Sequence, residues 1–374
     1  MDSTQVFCPN EACPACGQVG QGNLTVHDRK KRRYRCSVCE KSFSERKGTP
    51  FYRLRTATET VVVVLKLLSQ GCPVQAIVFA FGLDERTVMA WLKRGGRHCQ
   101  EVHEQLVEQP RPLGEVQLDE LRFKLWHQVV GWMALALEVP TRLWLGGAVS
   151  EHRDAALLRR VVEPVKRASS ALGRGLLFVT DGLSTYVTVI KAVFREPAPT
   201  GQPGRPPLME WPRLHIVQVV KRYVDGKLDR IERRLVQGSA QAIEILRHAV
   251  PGGGVLNTAF IERFNGTMRS HLAALTRRTR ALAGQILRVE GAMYLTGTVY
   301  NFCCPHESLK QPGLVGGHRW LSRTPAMAAG LADHCWTMEE LLTYQVPPPR
   351  WRPPKKPGRP SRVLKVLMAR WGTG

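Results

Sequence analysis

Glu115-Val-Gln-Leu-Asp119-Glu-Leu-Arg-Phe-Lys124 opens the region that decides the fold. β-branched, aromatic and apolar residues dominate it, and the same composition returns at about 129–138 and 141–149. Three such runs in succession predict a meander of three strands. Downstream come a helical stretch from Asp154 to Ala171, a short buried strand Leu176-Leu177-Phe178-Val179, a helix after Gly182, and a strand near Leu214 to Val220. Strands first, then alternating helix and strand, predict a mixed α/β sheet. Residues 197–212 carry six prolines and read as an excursion inside this domain.

Upstream the periodicity is helical. Apolar positions at Val61, Val64, Leu65 and Leu68, then Ile77, Val78 and Phe81, then Val88, Trp91 and Leu92, predict a three-helix unit. Pro73 opens the second helix, Gly82-Leu83 makes a turn, and Asp84 caps a third helix running to about Arg94. That is a helix-turn-helix pattern, with Arg86, Thr87, Lys93 and Arg94 on the face where a recognition helix meets DNA.

Residues 8–47 hold too few large aliphatic side chains to build a core unaided. Cys13-Pro-Ala-Cys16 and Cys36-Ser-Val-Cys39, nineteen residues apart, supply four thiolates at zinc-ribbon spacing. Cys8 is an alternative to Cys13 in that set. Between the pairs runs a dense cationic segment in which Arg32, Arg33 and Arg35 are placed for phosphate contacts. Cys303-Cys304 are neighbours that cannot readily build a cage, so packing is the expectation there.

The chain has 374 residues, with 54 Lys plus Arg against 31 Asp plus Glu, a formal charge of +23. Such an excess of one sign calls for a polyanionic partner. The N-terminus lacks the apolar segment of a signal peptide, and the longest apolar runs are too short to span a bilayer. A cytoplasmic, nucleoid-associated protein with no membrane contact is expected.

Three acids carry the chemistry. Asp119 lies within the first strand of the meander, and Asp181 stands at the C-terminal end of the buried strand that opens at Leu176. Glu262 lies on a helix opening at Asn257-Thr258, beside the apolar stripe Ile261, Phe264, Met268 and Leu272 and in line with Asn265 and Arg269. Singly, each has a bland reading: a strand residue, a helix cap, half of an ion pair. Jointly they suit two hard divalent cations, Mg²⁺ or Mn²⁺, clamping a phosphoryl transfer. Strand alternation turns Glu120 to the opposite face from Asp119 and predicts that Glu120→Gln is mild. Asp225, Asp229 and Glu232 are the reserve candidates for the third acid. His215 and His271 read as ordinary surface or half-buried groups.

The Cys pairs, Tyr34-Arg35-Cys36, Gln117-Leu118-Asp119-Glu120, Thr180-Asp181-Gly182, Asn257-Thr-Ala-Phe-Ile-Glu262-Arg-Phe-Asn265, Tyr300 to His306 and Thr324-Pro325-Ala326 together carry a resemblance. Over roughly 8–345 the chain resembles the DDE-type transposases of bacterial insertion sequences that join a zinc ribbon and helix-turn-helix to a ribonuclease H-like domain. The resemblance implies an α/β fold, a ribonuclease H-like mixed sheet with helices, preceded by a zinc ribbon and a helix-turn-helix bundle. The implied boundaries are a ribbon at 1–50, the helix-turn-helix domain at 51–110 and the catalytic domain at 111–310. A helical segment follows at 311–345, then a basic proline-rich tail at 346–374. It further implies Asp119, Asp181 and Glu262 as the metal triad with Asn257 beside it, one structural Zn²⁺, and two catalytic ions. The implied partners are double-stranded DNA at element ends and target, and a second copy in a homodimer or larger synaptic assembly. Arg269 and Arg359 join the expected DNA contacts; Arg359 in Gly358-Arg359-Pro360 looks like a minor-groove hook, as does Arg205 in Gly204-Arg205-Pro206. The rivals are a non-catalytic DNA-binding regulator and a recombinase with a covalent Ser or Tyr nucleophile.

Overall fold

The computed structural model describes residues 2–170, 175–198, 201, 204–248, 255–276, 285–313, 319–353 and 360–372. The chain divides into two units, 1–61 with 343–374, and 62–342.

The first unit is organised by a three-stranded antiparallel sheet, β1 (Leu24–Asp28), β2 (Arg33–Cys36) and β3 (Ser42–Ser44). Tyr34 and Phe43 meet across β2 and β3 with ring centroids 5.9 Å apart. The expectation of a separate tail at 346–374 is corrected here, since 343–374 belongs to the first unit. Ser361 caps a C-terminal helix, Arg362–Trp371, its Oγ accepting from the Leu364 N–H at 3.2 Å. Trp371, Leu364 and Leu367 of that helix, with Trp351, pack into the cysteine-lined core of the ribbon. The reason is area: a ribbon this short of aliphatic residues needs apolar surface brought from elsewhere, and two tryptophans supply it. Gln345 Nε2 adds hydrogen bonds to the Glu45 and Lys47 carbonyls. Lys355, Lys356 and Arg359 lie outside the described residues.

The second unit begins with three helices, α1 (Thr58–Ser69, which starts in the first unit), α2 (Val74–Phe81) and α3 (Glu85–Leu106). Gly82 ends α2 in the left-handed region (φ 62°), and the Asp84 carboxylate accepts from the Arg86 N–H at 2.8 Å to start α3. α3 does not stop near Arg94 but runs 22 residues. Gly95 and Gly96 fall inside it on the buried side: a Cβ on Gly95 would stand 2.8 Å from the Leu65 side chain of α1, and one on Gly96 2.4 Å from the Gly291 carbonyl oxygen of the crossing helix α8 (Ile286–Cys303). Close approach, not a break, is what these glycines provide. Beyond them the His103 ring packs at a tilt against Trp144, centroids 4.5 Å apart, so the three-helix segment is built onto the α/β body.

That body is a mixed sheet of six strands with helices on both faces. Its strands are β4 (Glu115–Lys124), β5 (Val130–Glu138), β6 (Trp144–Ser150), β7 (Leu176–Thr180), β10 (Leu214–Val224) and β11 (Lys227–Gln237); β8 (Arg195–Pro197) and β9 (Leu208–Glu210) pair separately and close the proline-rich excursion. The order is β11-β10-β7-β4-β5-β6. β4, β5 and β6 form the antiparallel meander, β7 runs parallel to β4, β10 parallel to β7, and β11 returns antiparallel. Helices α4 (Ala155–Ala168) and α5 (Ser184–Val193) cover one face through a core that includes Leu118, Val161, Phe178, Ile190 and Ile216. On the other, Leu177, Val179, Val217 and Val219 pack against α6 (Ala240–His248). Helix α7 (Ala259–His271) lies over β4 on that second face, where Gln117 accepts from the Ile261 N–H at 3.0 Å and donates to the Asn257 carbonyl at 2.8 Å. Among the described residues no helix is long and apolar enough to cross a membrane.

Candidate metal centres

Because β4 and β7 are parallel neighbours, Asp119 in β4 and Asp181 just past β7 reach the same end of the sheet, and α7 carries Glu262 across it. All three line one cleft of about 410 Å³, together with Arg153 and Lys221. The Asp119 carboxylate is held at both oxygens, by the Glu120 N–H at 2.8 Å and by Asn265 Nδ2 at 2.7 Å. Asp181 Oδ1 accepts from the Leu183 N–H at 2.9 Å, the helix-start role that a bland reading would give it. Glu262 Oε1 accepts from Lys221 Nζ at 2.6 Å and from the Thr258 hydroxyl. Asn265 was legible only as a neighbour on the polar face of α7; Lys221 and Arg153 had no motif and were missed.

Glu120 faces α4 and α5, as alternation requires, but it is not remote from the site. Its carboxyl oxygen lies with those of Asp119 and Asp181 in one group whose members are all within 4.8 Å, the one acidic group of three so close among the described residues. Glu262 stands outside that group, across the cleft. The Glu120 side chain is fully enclosed, taking Arg153 Nε at 2.6 Å and the Tyr186 hydroxyl at 2.7 Å. Arg153 then extends Nη2 to within 3.6 Å of Asp181 Oδ2. β7 ends at Thr180 and pairs with β4 only as far as Gln117, so beyond it Arg153 reaches both Glu120 and Asp181, and the expectation that Glu120→Gln is mild is withdrawn.

Burial, reinforced by Glu120, Asp181 and Glu262 nearby, lifts the Asp119 carboxyl from 3.8 to about 6 against the pull of the Glu120 N–H. Burial also raises Glu262, but Lys221 and Thr258 outweigh it and hold the group below its ordinary value. Four carboxylates against two cations leave a net negative cleft of oxygen donors only, the donor set that hard divalent ions take. A carboxyl raised on folding stabilises the fold while protonated; that contribution is present below the ordinary 3.8 and lost as pH rises through about 6. In EDTA, the melting-temperature difference between Asp119→Asn and wild type should therefore grow more positive between about pH 4 and pH 8, by up to about 3 kcal/mol in stability. A difference that does not change with pH would show that Asp119 carries no such burden.

In the ribbon the structure gathers a different four thiols from the expected Cys13, Cys16, Cys36 and Cys39. Cys8, Cys13, Cys36 and Cys39 have Sγ atoms all within 4.8 Å of one another. Cys8 to Cys39 is 3.7 Å and Cys13 to Cys36 is 3.9 Å. Zinc–sulfur bonds of about 2.3 Å in a tetrahedron require edges of about 3.8 Å, so the residues present fit Zn²⁺. A turn closed by the Cys13 N–H on the Asn10 carbonyl at 2.7 Å folds Cys13 back beside Cys8. Cys16, bonded to the Cys13 carbonyl a turn later, is wholly buried in the core, and burial pushes its thiol up to about 11. Asn23 Nδ2 donates to Cys36 Sγ at 3.4 Å, a contact that suits a ligating sulfur.

The expected DNA contacts divide. Arg35, Arg86, Lys93 and Arg94 are exposed and Thr87 half-buried. Arg32 is paired with Glu45, and Arg33 Nη2 donates to Ser42 Oγ at 2.8 Å, so both serve the ribbon itself. Arg269 is half-buried on α7. His215 is buried at the start of β10, the end away from Lys221. Of the reserve acids, Glu232 is taken up by Arg222, Arg230 and Arg234, and Asp225 and Asp229 lie exposed at the hairpin end. No protein-family model matches the chain, and no curated protein matches it.

Proposed function

We propose that this chain is a DDE-type DNA transposase with a ribonuclease H-like catalytic domain, binding insertion-sequence ends and carrying out divalent-metal-dependent cleavage and strand transfer. The observation that carries the reading is the convergence of Asp119 on the central strand, Asp181 at the end of its parallel neighbour and Glu262 on α7 in one cleft. An antiparallel meander followed by two parallel strands is the order that supports the ribonuclease H-like part. Asp119, Asp181 and Glu262 would hold two Mg²⁺ or Mn²⁺ ions, which when bound lower the pKa of the attacking hydroxyl and stabilise the leaving 3′ oxygen. Asn265 and the Glu120 N–H orient Asp119 for that task, and Thr258 orients Glu262. Arg153 balances charge at Asp181. Cys8, Cys13, Cys36 and Cys39 would hold one Zn²⁺, shaping the ribbon that presents Arg35, while α3 offers Arg86, Lys93 and Arg94 to duplex DNA. Two element ends must be processed together, so the working form in this reading is a homodimer or larger assembly.

The test is incubation of the full chain with duplexes carrying the DNA that flanks its own gene, with Mg²⁺ or with EDTA. The expected products are nicks leaving free 3′-hydroxyls, then joined strands, with Mg²⁺ alone. Binding without cleavage would replace the enzyme by a DNA-binding regulator. A covalent protein–DNA adduct would replace it by a Ser or Tyr recombinase.

A further inference from the structure

β7 ends at Thr180, opposite Gln218, so beyond that point, among the described residues, β10 keeps β11 as its only ladder neighbour. From Lys221 outward the pair becomes a free two-stranded ribbon, and at about 3.3 Å per residue the strand to Asp225 reaches about 13 Å from its root. That root is in the acid cleft, since Lys221 is the residue hydrogen-bonded to Glu262.

The ribbon is built against its own stability. Arg222 and Arg230 stand directly opposite each other in the ladder, a like-charge pairing that destabilises a hairpin. Arg234 joins them, and all three lean on one carboxylate, Glu232, at 3.5, 3.0 and 2.7 Å. One acid leaves two positive charges unbalanced, and the three arginines remain 50%, 68% and 50% exposed. Over 221–234 six cationic side chains stand against three acidic ones. Charge on a sheet edge also deters strand pairing, but that purpose is met by either sign and needs no facing arginines. An isolated hairpin is marginal in water, and this one exposes Tyr223 and Leu228 at its end.

We propose that the outer β10–β11 hairpin is a DNA-backbone contact, in which Arg222, Arg230 and Arg234 take phosphates of the duplex leading into the acid cleft. The proposal rests on the transposase reading for its substrate, and its test is separate from cleavage. Binding of the full chain to a fluorescent duplex is measured across a potassium chloride series for wild type, the Arg222→Gln/Arg230→Gln/Arg234→Gln variant, its all-Lys counterpart and Glu232→Gln. Each phosphate contact adds about 0.9 to the slope of log affinity against log salt, so the all-Gln variant, which removes three, should lose about 2.7 from the slope. The all-Lys variant should keep most of it. Glu232→Gln removes the competing carboxylate and should bind DNA more tightly, where a purely structural Glu232 predicts weaker binding. An unchanged slope in the all-Gln variant, or weaker binding by Glu232→Gln, overturns the proposal and leaves the cleavage reading standing. An unchanged slope together with a fall in sedimentation coefficient would reassign the hairpin to pairing with a second copy. Failure of wild type to bind the duplex overturns both.

Discussion

Asp119→Asn, Asp181→Asn and Glu262→Gln are each expected to reduce metal-dependent strand transfer by about a thousandfold or more, roughly 4 kcal/mol of transition-state stabilisation. Each change keeps size and removes one charged oxygen ligand from the cleft. Folding and DNA binding should survive, because none of the three lies in the hydrophobic core. Glu120→Gln belongs with them and not among the controls: it weakens the anchor of Arg153 and the partner of the Tyr186 hydroxyl. A loss of about 10- to 100-fold, the scale of groups that orient metal ligands, is expected for it. Glu163→Gln, an exposed change on α4, is the control and should act as wild type. Strand transfer measured on one labelled duplex decides the matter. Full activity in Glu262→Gln would remove the third acid, and equal loss in Glu163→Gln would mean that charge in general, not the cleft, was being read.

The second large effect concerns the ribbon. Wild type should carry one tightly bound zinc, and Cys8→Ser should abolish it while Cys16→Ser retains it. Site geometry makes the two changes unequal, since Cys8 is within the four-sulfur group and Cys16 is outside it. Where a structural zinc supplies the folding free energy, its loss costs on the order of 10 kcal/mol, so Cys8→Ser should also unfold the first unit. The C-terminal helix should melt with it, because Trp351 and Trp371 pack into that same core. Elemental analysis and limited proteolysis read both outcomes. Zinc retained in Cys8→Ser and lost in Cys16→Ser would restore the tighter knuckle as the ligand pair.

Much of this was legible in the order of residues. The meander, the short buried strand at 176–180 and the Asp84 cap follow from local pattern, because alternation, apolar runs and capping are short-range physics. The placement of Asp181 at a strand end followed from the same run. Long-range association was not legible. Spacing offered Cys8 only as a substitute for Cys13, whereas the turn at Asn10 brings Cys8 and Cys13 into the set together and leaves Cys16 out. The tail read as a separate segment because composition says nothing of what two tryptophans 20 residues apart will cover. Lys221 and Arg153 carry no motif at all; their role exists only because β10 and the segment before α4 run beside β4 at the point where β7 ends.

The sequence by itself determined the positive charge, the presence of the thiols and the sheet class, each a property of residue type at short spacing, and it offered the three acids as candidates. The tertiary structure decided which four sulfurs converge, which unit the tail belongs to, and that Glu120, on the far face of its strand, is tied through Arg153 to the acid cleft. The physical reason is the same in each case: alternation and spacing constrain neighbours along the chain, whereas contacts across hundreds of residues are set by which elements pack edge to edge.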